Sequence, residues 1–208
     1  MSKLKENFTR VYTENIWGKQ DESHMSKRKN KKFYSGGGTD PDNDKNNTYI
    51  NLIQSYINRP DISTVVEIGC GDWEVSSRID WSGVDYTGYD LVESLIDYNT
   101  EHFGSGNIKF ICDDTIISNN ATKADLIIVK DVFQHLPPSF CKDFIKSIPM
   151  NFKYNIITND YSNNNEIEIG GYCGNDFSQE PFNMKYRLVI QWQQKYVDAG
   201  NKQTVIFE

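Results

Sequence analysis

The sequence has few cysteines and no long apolar run. It contains four cysteines in 208 residues, at positions 70, 112, 141 and 173, with no Cys-x-x-Cys pair and no histidine beside them. A disulfide framework and a zinc site are therefore disfavoured. No apolar run approaches the roughly 18 residues that cross a bilayer, and residues 1–30 are too polar for a signal peptide. These absences favour a cytoplasmic, soluble domain with reduced thiols and no membrane anchor.

The sequence also lacks an excess of positive charge. It has 22 Lys/Arg against 29 Asp/Glu, a net charge of −7. Residues 1–34 are an exception, with nine basic against four acidic residues, and include the run Lys27–Lys32. This run is able to contact RNA, but the acidic remainder would repel phosphate. A solvated loop is the simpler interpretation, so nucleic acid is not the expected partner.

The hydrophobic pattern predicts two N-terminal helices and a long polar segment between them. Apolar residues recur at helical spacing over residues 3–14 and again over residues 46–58. Residues 18–47 are polar and contain three consecutive glycines, which is typical of a flexible loop. We divide the chain into an N-terminal helix with a flexible, lid-like segment (1–45) and a main domain (46–208).

The main domain alternates short β-branched runs with helical ones. This pattern predicts a parallel sheet covered by helices on both faces. Two further runs, 186–196 and 202–207, flank Ala199–Asn201 and predict an antiparallel hairpin. The expected fold is α/β and Rossmann-like, a mostly parallel sheet with a C-terminal antiparallel hairpin. The predicted strands cover 64–68, 86–89, 108–111, 125–129 and 154–158, and the predicted helices cover 74–79, 92–103 and 138–147.

A glycine-rich turn follows the first predicted strand. Gly69 and Gly71 allow a sharp bend close to a ligand. The third glycine of a dinucleotide fingerprint is missing, because position 74 is Glu74. Asp72 and Glu74 would repel a pyrophosphate at a helix start. A dinucleotide oxidoreductase is therefore disfavoured.

Two acidic residues end the next two strands. Asp90 lies nineteen residues after Gly71. A carboxylate at that position can accept hydrogen bonds from both hydroxyl groups of a ribose. Asp113 follows the third strand, where a carboxylate can accept a proton from an adenine amino group. Acids for ribose and adenine without a phosphate site point to a nucleoside that carries no phosphate, and S-adenosylmethionine fits.

With these residues, the sequence resembles the class I S-adenosylmethionine-dependent methyltransferases. It is most similar to a small bacterial-type branch with a set of short blocks, although Cys173 stands where such sequences often have a basic residue. The blocks are Tyr12 with Ile16–Gly18, Ser35–Thr39, Gly69–Trp73 (GCGDW), Lys130–Leu136 (KDVFQHL), Asn159–Asp160, Gly170–Tyr172 and Pro181–Asn183.

The resemblance implies the cofactor site. Glu67, Gly69 and Gly71 would shape its methionine end, Asp90 would hold the ribose and Asp113 the adenine. Gly36–Gly38 would act with Tyr34 as a lid or else form a plain linker, and Trp73 would stack near the pocket or pack under the first helix. The predicted cofactor residues are Tyr34, Gly37, Glu67, Gly69, Cys70, Gly71, Trp73, Asp90, Leu91, Asp113, Asp114 and Lys130.

Methyl transfer requires alignment and removal of a proton from the acceptor. Asp131, His135 and Asp160 follow the fourth and fifth strands and are the predicted catalytic residues. An unperturbed histidine pKa of about 6.5 suits a general base, although His135 could instead cap the segment before Pro137. Asp131, Asn159 and Asp160 also resemble the magnesium site of catechol-type O-methyltransferases, with the order of Asn and Asp reversed.

The predicted acceptor is a small polar molecule or a glycan. The connection from Tyr161 to Pro181 is long and rich in Asn and Gly, and long loops in compact domains are usually functional. Asn159 and Tyr172 are the predicted substrate residues. We expect O-methylation of a hydroxylated acceptor such as a sugar, with magnesium as a possible second cofactor. The alternatives are a cofactor-binding module without catalysis and an RNA methyltransferase that uses the basic N-terminal run.

Overall fold

The computed structural model describes residues 2–17, 32–39, 44–114, 123–192 and 201–208. Gly18, most of the basic run Lys27–Lys32 and residues 199–200 of the predicted hairpin turn lie outside these ranges. Within them, the helices are α1 (Lys3–Thr13), α2 (Asp44–Ile57), α3 (Glu93–Phe103) and α4 (Pro138–Asn151). The strands are β1 (Thr64–Ile68), β2 (Asp85–Asp90), β3 (Ile108–Cys112), β4 (Leu126–Lys130), β5 (Tyr154–Tyr161), β6 (Tyr186–Trp192) and β7 (Asn201–Phe207).

These strands form one mixed sheet in the order β3-β2-β1-β4-β5-β7-β6. The β2–β3, β1–β4 and β4–β5 pairs are parallel, whereas β7 is antiparallel to both β5 and β6. The strand order reverses between β1 and β4, and in open α/β sheets ligands bind beyond the carboxyl ends of the strands at such a point. The predicted fold class, a mostly parallel sheet with an antiparallel hairpin, is confirmed.

The chain divides into two compact units. The first comprises Met1–Ser63 and Cys70–Asp114, and the second comprises Thr64–Gly69 and Thr115–Glu208. The predicted boundary at residue 45 falls near the start of α2, and that division stays a prediction.

The core of each unit follows from its apolar pattern. In the first unit, Tyr12 of α1 packs with Phe33, Val92 and Leu95. In the second unit, four consecutive apolar residues of β4, 126–129, are at most 1% exposed, as is typical of a parallel strand buried on both faces. Within the described residues, no helix combines the length and apolar character needed to span a membrane.

Two predicted helices differ from the structure at their ends. The helix predicted over residues 74–79 is a single 3₁₀ turn, Ser76–Arg78. Conversely, α4 continues past its predicted end at Ser147 and includes Pro149. The Phe152 amide still donates to the Ile148 carbonyl at 3.1 Å, so the hydrogen-bonded turn persists beyond the proline.

Candidate functional site

The glycine turn after β1 is held by hydrogen bonds within the first unit. The Cys70 amide donates to the Tyr89 carbonyl at 3.0 Å, and Asn99 Nδ2 donates to the Gly71 carbonyl at 2.8 Å. Gly71 has φ +55°, and a Cβ there would lie 2.6 Å from Ser35 Oγ. Glycine is therefore required at position 71 both by the left-handed backbone and by the close approach of Ser35.

The N-terminal segment binds this turn through Ser35. The Ser35 amide donates to Asp72 Oδ2 at 3.1 Å, and the Asp72 amide donates to Ser35 Oγ at 2.8 Å. The Tyr12 hydroxyl lies 2.9 Å from the same Ser35 oxygen. Burial, with Asp90 and Asp72 nearby, raises the pKa of Tyr12 well above its usual value, so this phenol stays protonated.

The predicted lid residues lie in this same N-terminal segment. Tyr34 is buried, and Gly37 begins a short 3₁₀ turn, Gly37–Thr39. The segment is hydrogen-bonded to the turn through Ser35, the residue that precedes the three glycines, while its function as a lid stays a prediction.

Replacing Gly71 by alanine should destabilise the protein more than the same change at Gly83. Both glycines have positive φ, +55° and +87°, but a Cβ at Gly83 would have no atom within 4 Å. Gly83→Ala should therefore lower the free energy of unfolding by about 1–2 kcal/mol, from backbone strain alone. Gly71→Ala should lower it by about 1–3 kcal/mol more, because Ser35 must also move. Chemical denaturation of the two variants measures the difference, and equal losses would contradict the close packing of Ser35 on the turn.

Asp90 is anchored at the carboxyl end of β2. Its Oδ2 accepts from the Gly71 amide at 3.1 Å and its Oδ1 accepts from the Val92 amide at 3.1 Å. Burial raises the pKa of Asp90 to about 6, although the backbone amides oppose this, and Asp72 adds to the rise. Each carboxylate oxygen retains acceptor capacity for a ligand hydroxyl.

The other acid predicted to bind the nucleoside lies next to Asp90. The Asp113 amide donates to the Asp90 carbonyl at 3.1 Å, so Asp113, directly after β3, lies beside the last residue of the parallel strand β2. Asp114 follows Asp113 and is partly buried. Leu91 is also partly buried, against the core cluster that contains Val92 and Leu95.

Trp73 packs in the core against aromatic residues of α3 and β3, and not under the first helix as predicted. Its indole is 4% exposed and lies between Phe103 and Phe110, with ring centroids 5.0 and 5.2 Å away. Its Nε1 donates to the Tyr86 hydroxyl at 2.8 Å. Stacking on a cofactor is therefore the wrong expectation for this side chain, because both the ring and its polar atom are used in the core.

Three predicted cofactor residues belong to the second unit. Glu67 is buried on β1, and Gly69, at φ +70°, follows that strand with Val132 so close that a Cβ would lie 2.4 Å from its Cγ2. The third residue, Lys130, does not point to a cofactor role, because its ammonium donates to the neighbouring Asp131 carboxylate.

A charged cluster forms in the second unit from Lys130, Asp131, Asp160, Tyr172 and Lys202. Asp131 has φ +59° directly after β4, and its carboxylate accepts hydrogen bonds from both lysines. Lys202 Nζ also lies 3.4 Å from Asp160 Oδ1, across the paired strands β5 and β7. Burial alone would raise the pKa of Asp131, but Lys130 and Lys202 outweigh it and hold the pKa well below its usual value.

This arrangement corrects two predictions. Asp131 is unsuited to be a general base, because a carboxylate shared by two ammonium groups has little affinity for a proton. The predicted magnesium ligands also do not fit a metal, since Lys130 and Lys202 already pair with the two carboxylates. Asn159 Oδ1 accepts a hydrogen bond from the backbone amide of Gln134 at 2.9 Å, so this oxygen is already used within the protein. Within the described ranges, no cluster of three His, Cys, Asp or Glu side chains is arranged to hold a metal.

His135 is the remaining candidate base. Its Nδ1 lies 3.0 Å from the Gly171 carbonyl, which can only accept, so Nδ1 carries the proton and Nε2 is the acceptor. Burial lowers the pKa of His135, although the Gly171 hydrogen bond and Asp131 oppose this, so the ring is neutral near pH 7. The amide Nε2 of Gln134 lies 3.5 Å from the histidine Nε2, at the limit of a hydrogen bond.

Tyr172 lies beside His135, with ring centroids 6.0 Å apart. Its hydroxyl donates to Asp160 Oδ2 at 2.6 Å, and the side chain is 47% exposed. Burial, and then the hydrogen bond to Asp160, raise the pKa of Tyr172, so the phenol stays protonated. Lys202 therefore joins Asp131 to Asp160, Asp160 binds the Tyr172 hydroxyl, and Tyr172 lies beside His135.

Several site residues were missed by sequence reasoning. Lys202 follows a turn signal in a strand pattern, and only the pairing of β7 with β5 places it opposite Asp160. Asn99 and Gln134 are fully or nearly buried amides, which helical and loop patterns do not distinguish from exposed ones. Ser35 was available from the sequence, because it begins one of the blocks on which the resemblance rests.

No family model matches the chain. The "Ubiquinone biosynthesis O-methyltransferase" of Coxiella burnetii is 33% identical over 76 residues, which is 35% of this chain and 32% of that protein. The match therefore spans about a third of the length of the curated relative.

The chain is similar to several solved methyltransferase structures. The N-methyltransferase NodS from Bradyrhizobium japonicum, with S-adenosyl-l-homocysteine, has a TM-score of 0.64 at 14% identity and covers 90% of this chain and 98% of its own. The 1,6-didemethyltoxoflavin-N1-methyltransferase of Burkholderia thailandensis, with S-adenosylhomocysteine, has a TM-score of 0.61 at 14% identity over 98% and 85%. Magnesium protoporphyrin IX methyltransferase from Synechocystis, with SAH, has a TM-score of 0.57 at 14% identity over 79% and 82%. The chain has the Rossmann-like fold of the class I S-adenosylmethionine-dependent methyltransferases.

Proposed function

We propose that this protein transfers a methyl group from S-adenosylmethionine to a hydroxyl oxygen of a small polar acceptor. The observation that carries the proposal is the Asp90 carboxylate, which is fixed at the end of β2 by the amides of Gly71 and Val92. A carboxylate held in this way is preorganised to accept hydrogen bonds from two ribose hydroxyls.

The chemistry of the neighbouring groups fits the cofactor. Asp113, at the adjacent strand end, can accept from an adenine amino group. Asp72 and Asp90 place negative charge beside the glycine turn, which suits a cationic sulfonium and opposes a phosphate. Ser35 binds the turn from the N-terminal side, so the predicted lid segment is already next to these acids.

The second unit supplies a base for oxygen methylation. When bound, the cofactor supplies an electrophilic methyl carbon on a sulfonium. His135, whose Nδ1 lies against the Gly171 carbonyl, would take the hydroxyl proton through Nε2 as the new O–CH₃ bond forms and the S–CH₃ bond breaks, with sulfur retaining the electron pair. Asp160 orients the Tyr172 hydroxyl, and Lys130 and Lys202 keep Asp131 ionised.

A hydroxylated acceptor, such as a carbohydrate, is the class we favour. The name of the curated relative specifies an O-methyltransferase. In this chain, the half-exposed Tyr172 and the amides of its long loop suit a polar molecule, and Asn164 already ties that loop together by donating to the Asp176 carbonyl at 2.8 Å. The test is incubation with radiolabelled S-adenosylmethionine and a panel of sugars and phenols, with and without a chelator.

Replacing Asp90 by asparagine should weaken binding of S-adenosylhomocysteine about tenfold to hundredfold. The loss corresponds to about 1–3 kcal/mol for a hydrogen bond to a charged group. Asp85→Asn is the matched control, because Asp85 lies exposed at the other end of β2. Isothermal titration calorimetry measures both variants, and an unchanged affinity in Asp90→Asn would remove the basis for the cofactor assignment.

The same affinity should rise as the pH is raised through about 6. Burial raises the pKa of Asp90 to about 6, so the carboxyl is protonated below this pH and ionised above it. The ionised form accepts two hydroxyl hydrogen bonds, so binding strengthens with increasing pH, and Asp90→Asn should lose this dependence. Titrations at pH 5 and pH 7.5 measure the effect.

Binding of the cofactor without turnover on any acceptor would favour the non-catalytic alternative. The RNA alternative depends on the run Lys27–Lys32, most of which lies outside the described residues. A filter-binding series at increasing salt tests it, because phosphate contacts impose a steep salt dependence.

A further inference from the structure

We infer that Asn99 of α3 is a positioning residue of the cofactor site, which fixes the Gly71 peptide so that its amide stays on the Asp90 carboxylate. The inference rests on the proposed function, because it concerns the site in which Asp90 would hold the ribose. All three residues belong to the first unit. Asn99 is fully buried, so it acts through Gly71 and not by touching the cofactor.

The two backbone polar groups of Gly71 are held by two different elements, β2 and α3. Its amide donates to Asp90 Oδ2 at 3.1 Å, and its carbonyl accepts from Asn99 Nδ2 at 2.8 Å. Since a carbonyl can only accept, the NH₂ group of Asn99 must face it. These contacts restrain the peptide planes on both sides of Gly71, which has φ +55°. The direction of the Gly71 amide therefore depends on Asn99.

Asn99 is an unexpected residue for its place in α3. It lies one turn after Leu95 and Ile96, on the buried face of the helix. A buried amide is costly unless it is hydrogen-bonded, and Asn99 Oδ1 has no hydrogen-bond partner among the described residues. An apolar side chain would fill this position without that cost. The contact with Gly71 is the feature that requires an amide here, and such local exceptions are typical of functional sites.

The Gly71 amide favours the ionised form of Asp90, because a hydrogen bond to a carboxylate stabilises its charge. Burial raises the pKa of Asp90 to about 6, and the amides of Val92, Gly71 and Leu91 oppose this rise. Without Asn99, the Gly71 amide is no longer held toward Asp90 Oδ2. The pKa of Asp90 should then rise by about one unit, the contribution of one backbone hydrogen bond to a carboxylate.

The titratable and charged groups around Asp90 come from each element packed against it. They are Cys70 and Asp72 on the glycine turn, Tyr12 on α1, Cys112 at the end of β3, Asp113 directly after it, and the Lys5–Glu93 ion pair between α1 and α3. Burial raises the pKa values of Tyr12 and Cys112, so both stay protonated near pH 7. Asp72 adds to the rise at Asp90, but its carboxylate accepts from Ser35 and not from Asn99. A change at Asn99 therefore reaches Asp90 through Gly71.

The experiment measures the pKa of Asp90 in the protein without cofactor, so it does not depend on methyl transfer. An NMR titration of isotope-labelled aspartate carboxyl groups follows the signal that is missing in Asp90→Asn. In Asn99→Ala the pKa of Asp90 should be about one unit higher than in the wild type. Asn99→Leu keeps the buried position filled and should give the same rise, so it serves if the alanine variant does not fold.

Thr100→Ala is the matched control. Thr100 is the next residue of α3, and its Oγ1 also donates to a main-chain carbonyl at 2.8 Å, but that carbonyl belongs to Ile96 of the same helix. Removing it should leave the pKa of Asp90 at the wild-type value, which separates the contact with Gly71 from a general effect on α3.

Calorimetry with S-adenosylhomocysteine adds a functional readout. A rise in the pKa of Asp90 by one unit lowers its ionised fraction at pH 6 about fivefold and hardly changes it at pH 8.5. Asn99→Ala should therefore bind about fivefold more weakly than the wild type at pH 6 and equally well at pH 8.5. A general loss of packing would weaken binding at both pH values.

Each outcome decides the inference. A raised pKa of Asp90 in the Asn99 variants, with the wild-type value in Thr100→Ala, supports it. An unchanged pKa in the Asn99 variants, an equal rise in Thr100→Ala, an equal loss of affinity at both pH values, or loss of folding in both Asn99 variants overturns it. If the wild type binds the nucleoside and the pKa is unchanged in Asn99→Ala, the inference alone fails. If the pKa rises but the wild type does not bind the nucleoside, the proposed function alone fails.

Discussion

Replacing Lys202 by methionine should lower the free energy of unfolding by about 3–5 kcal/mol, the range for removing one partner of a buried ion pair. Lys202 is 7% exposed, donates to Asp131 and lies 3.4 Å from Asp160. Methionine preserves the length of the side chain but removes the ammonium that lies beside Asp131 and Asp160. Urea denaturation followed by circular dichroism measures the change.

Two further variants make this expectation specific. Lys185→Met removes an exposed lysine just before β6 and should change stability by less than about 0.5 kcal/mol. The double variant Lys202→Met/Asp160→Asn removes both the lysine cation and the negative charge of Asp160. Its loss should be smaller than the sum of the two single losses, because the residues interact directly. Additive losses would show that the ion pair does not contribute to stability.

Replacing His135 by glutamine should slow methyl transfer about 10²-fold to 10⁴-fold, the usual contribution of a positioned general base. Glutamine can still donate to the Gly171 carbonyl, but its amide cannot remove a proton from a hydroxyl. The affinity for S-adenosylhomocysteine should be unchanged. Single-turnover rates with an acceptor from the labelled-cofactor panel, compared with calorimetry, measure the two quantities.

His102 provides the matched control. It is an exposed histidine of α3 whose Nδ1 lies 2.9 Å from the Tyr98 carbonyl, so it makes the same type of contact in the first unit. His102→Gln should retain the wild-type rate. If His135→Gln also retains it, another group removes the proton, and if His135→Gln loses cofactor affinity equally, the residue acts in binding.

The sheet and the positions of the acids at its strand ends could be predicted from the sequence because they depend on local patterns. Continuous apolar runs identified β1 and β4, and the alternating runs around a turn identified the antiparallel pair β6–β7. Asp90 and Asp113 were found because a parallel sheet brings the carboxyl ends of its strands to one edge. Because these signals are local, the predicted strands agree with the structure to within a few residues.

The charged cluster around Lys202 could not be predicted from local sequence patterns. Asp131 and Asp160 of the predicted trio are brought together, but by Lys202, 42 residues after Asp160 in the sequence. Its position depends on the register of β5 against β7, in which Asp160 pairs with Lys202. A one-residue slip in that register would send the lysine to the opposite face of the sheet, so hydrophobic pattern alone could not identify it.

The position of β7 between β5 and β6 has a consequence for the order in which the sheet folds. Before β7 pairs, β6 has no neighbour among the described strands, and Asp160 lacks the Lys202 ammonium. Long-range antiparallel pairing is slow to form, so the charged cluster of the second unit stays incomplete until β7 has docked against β5.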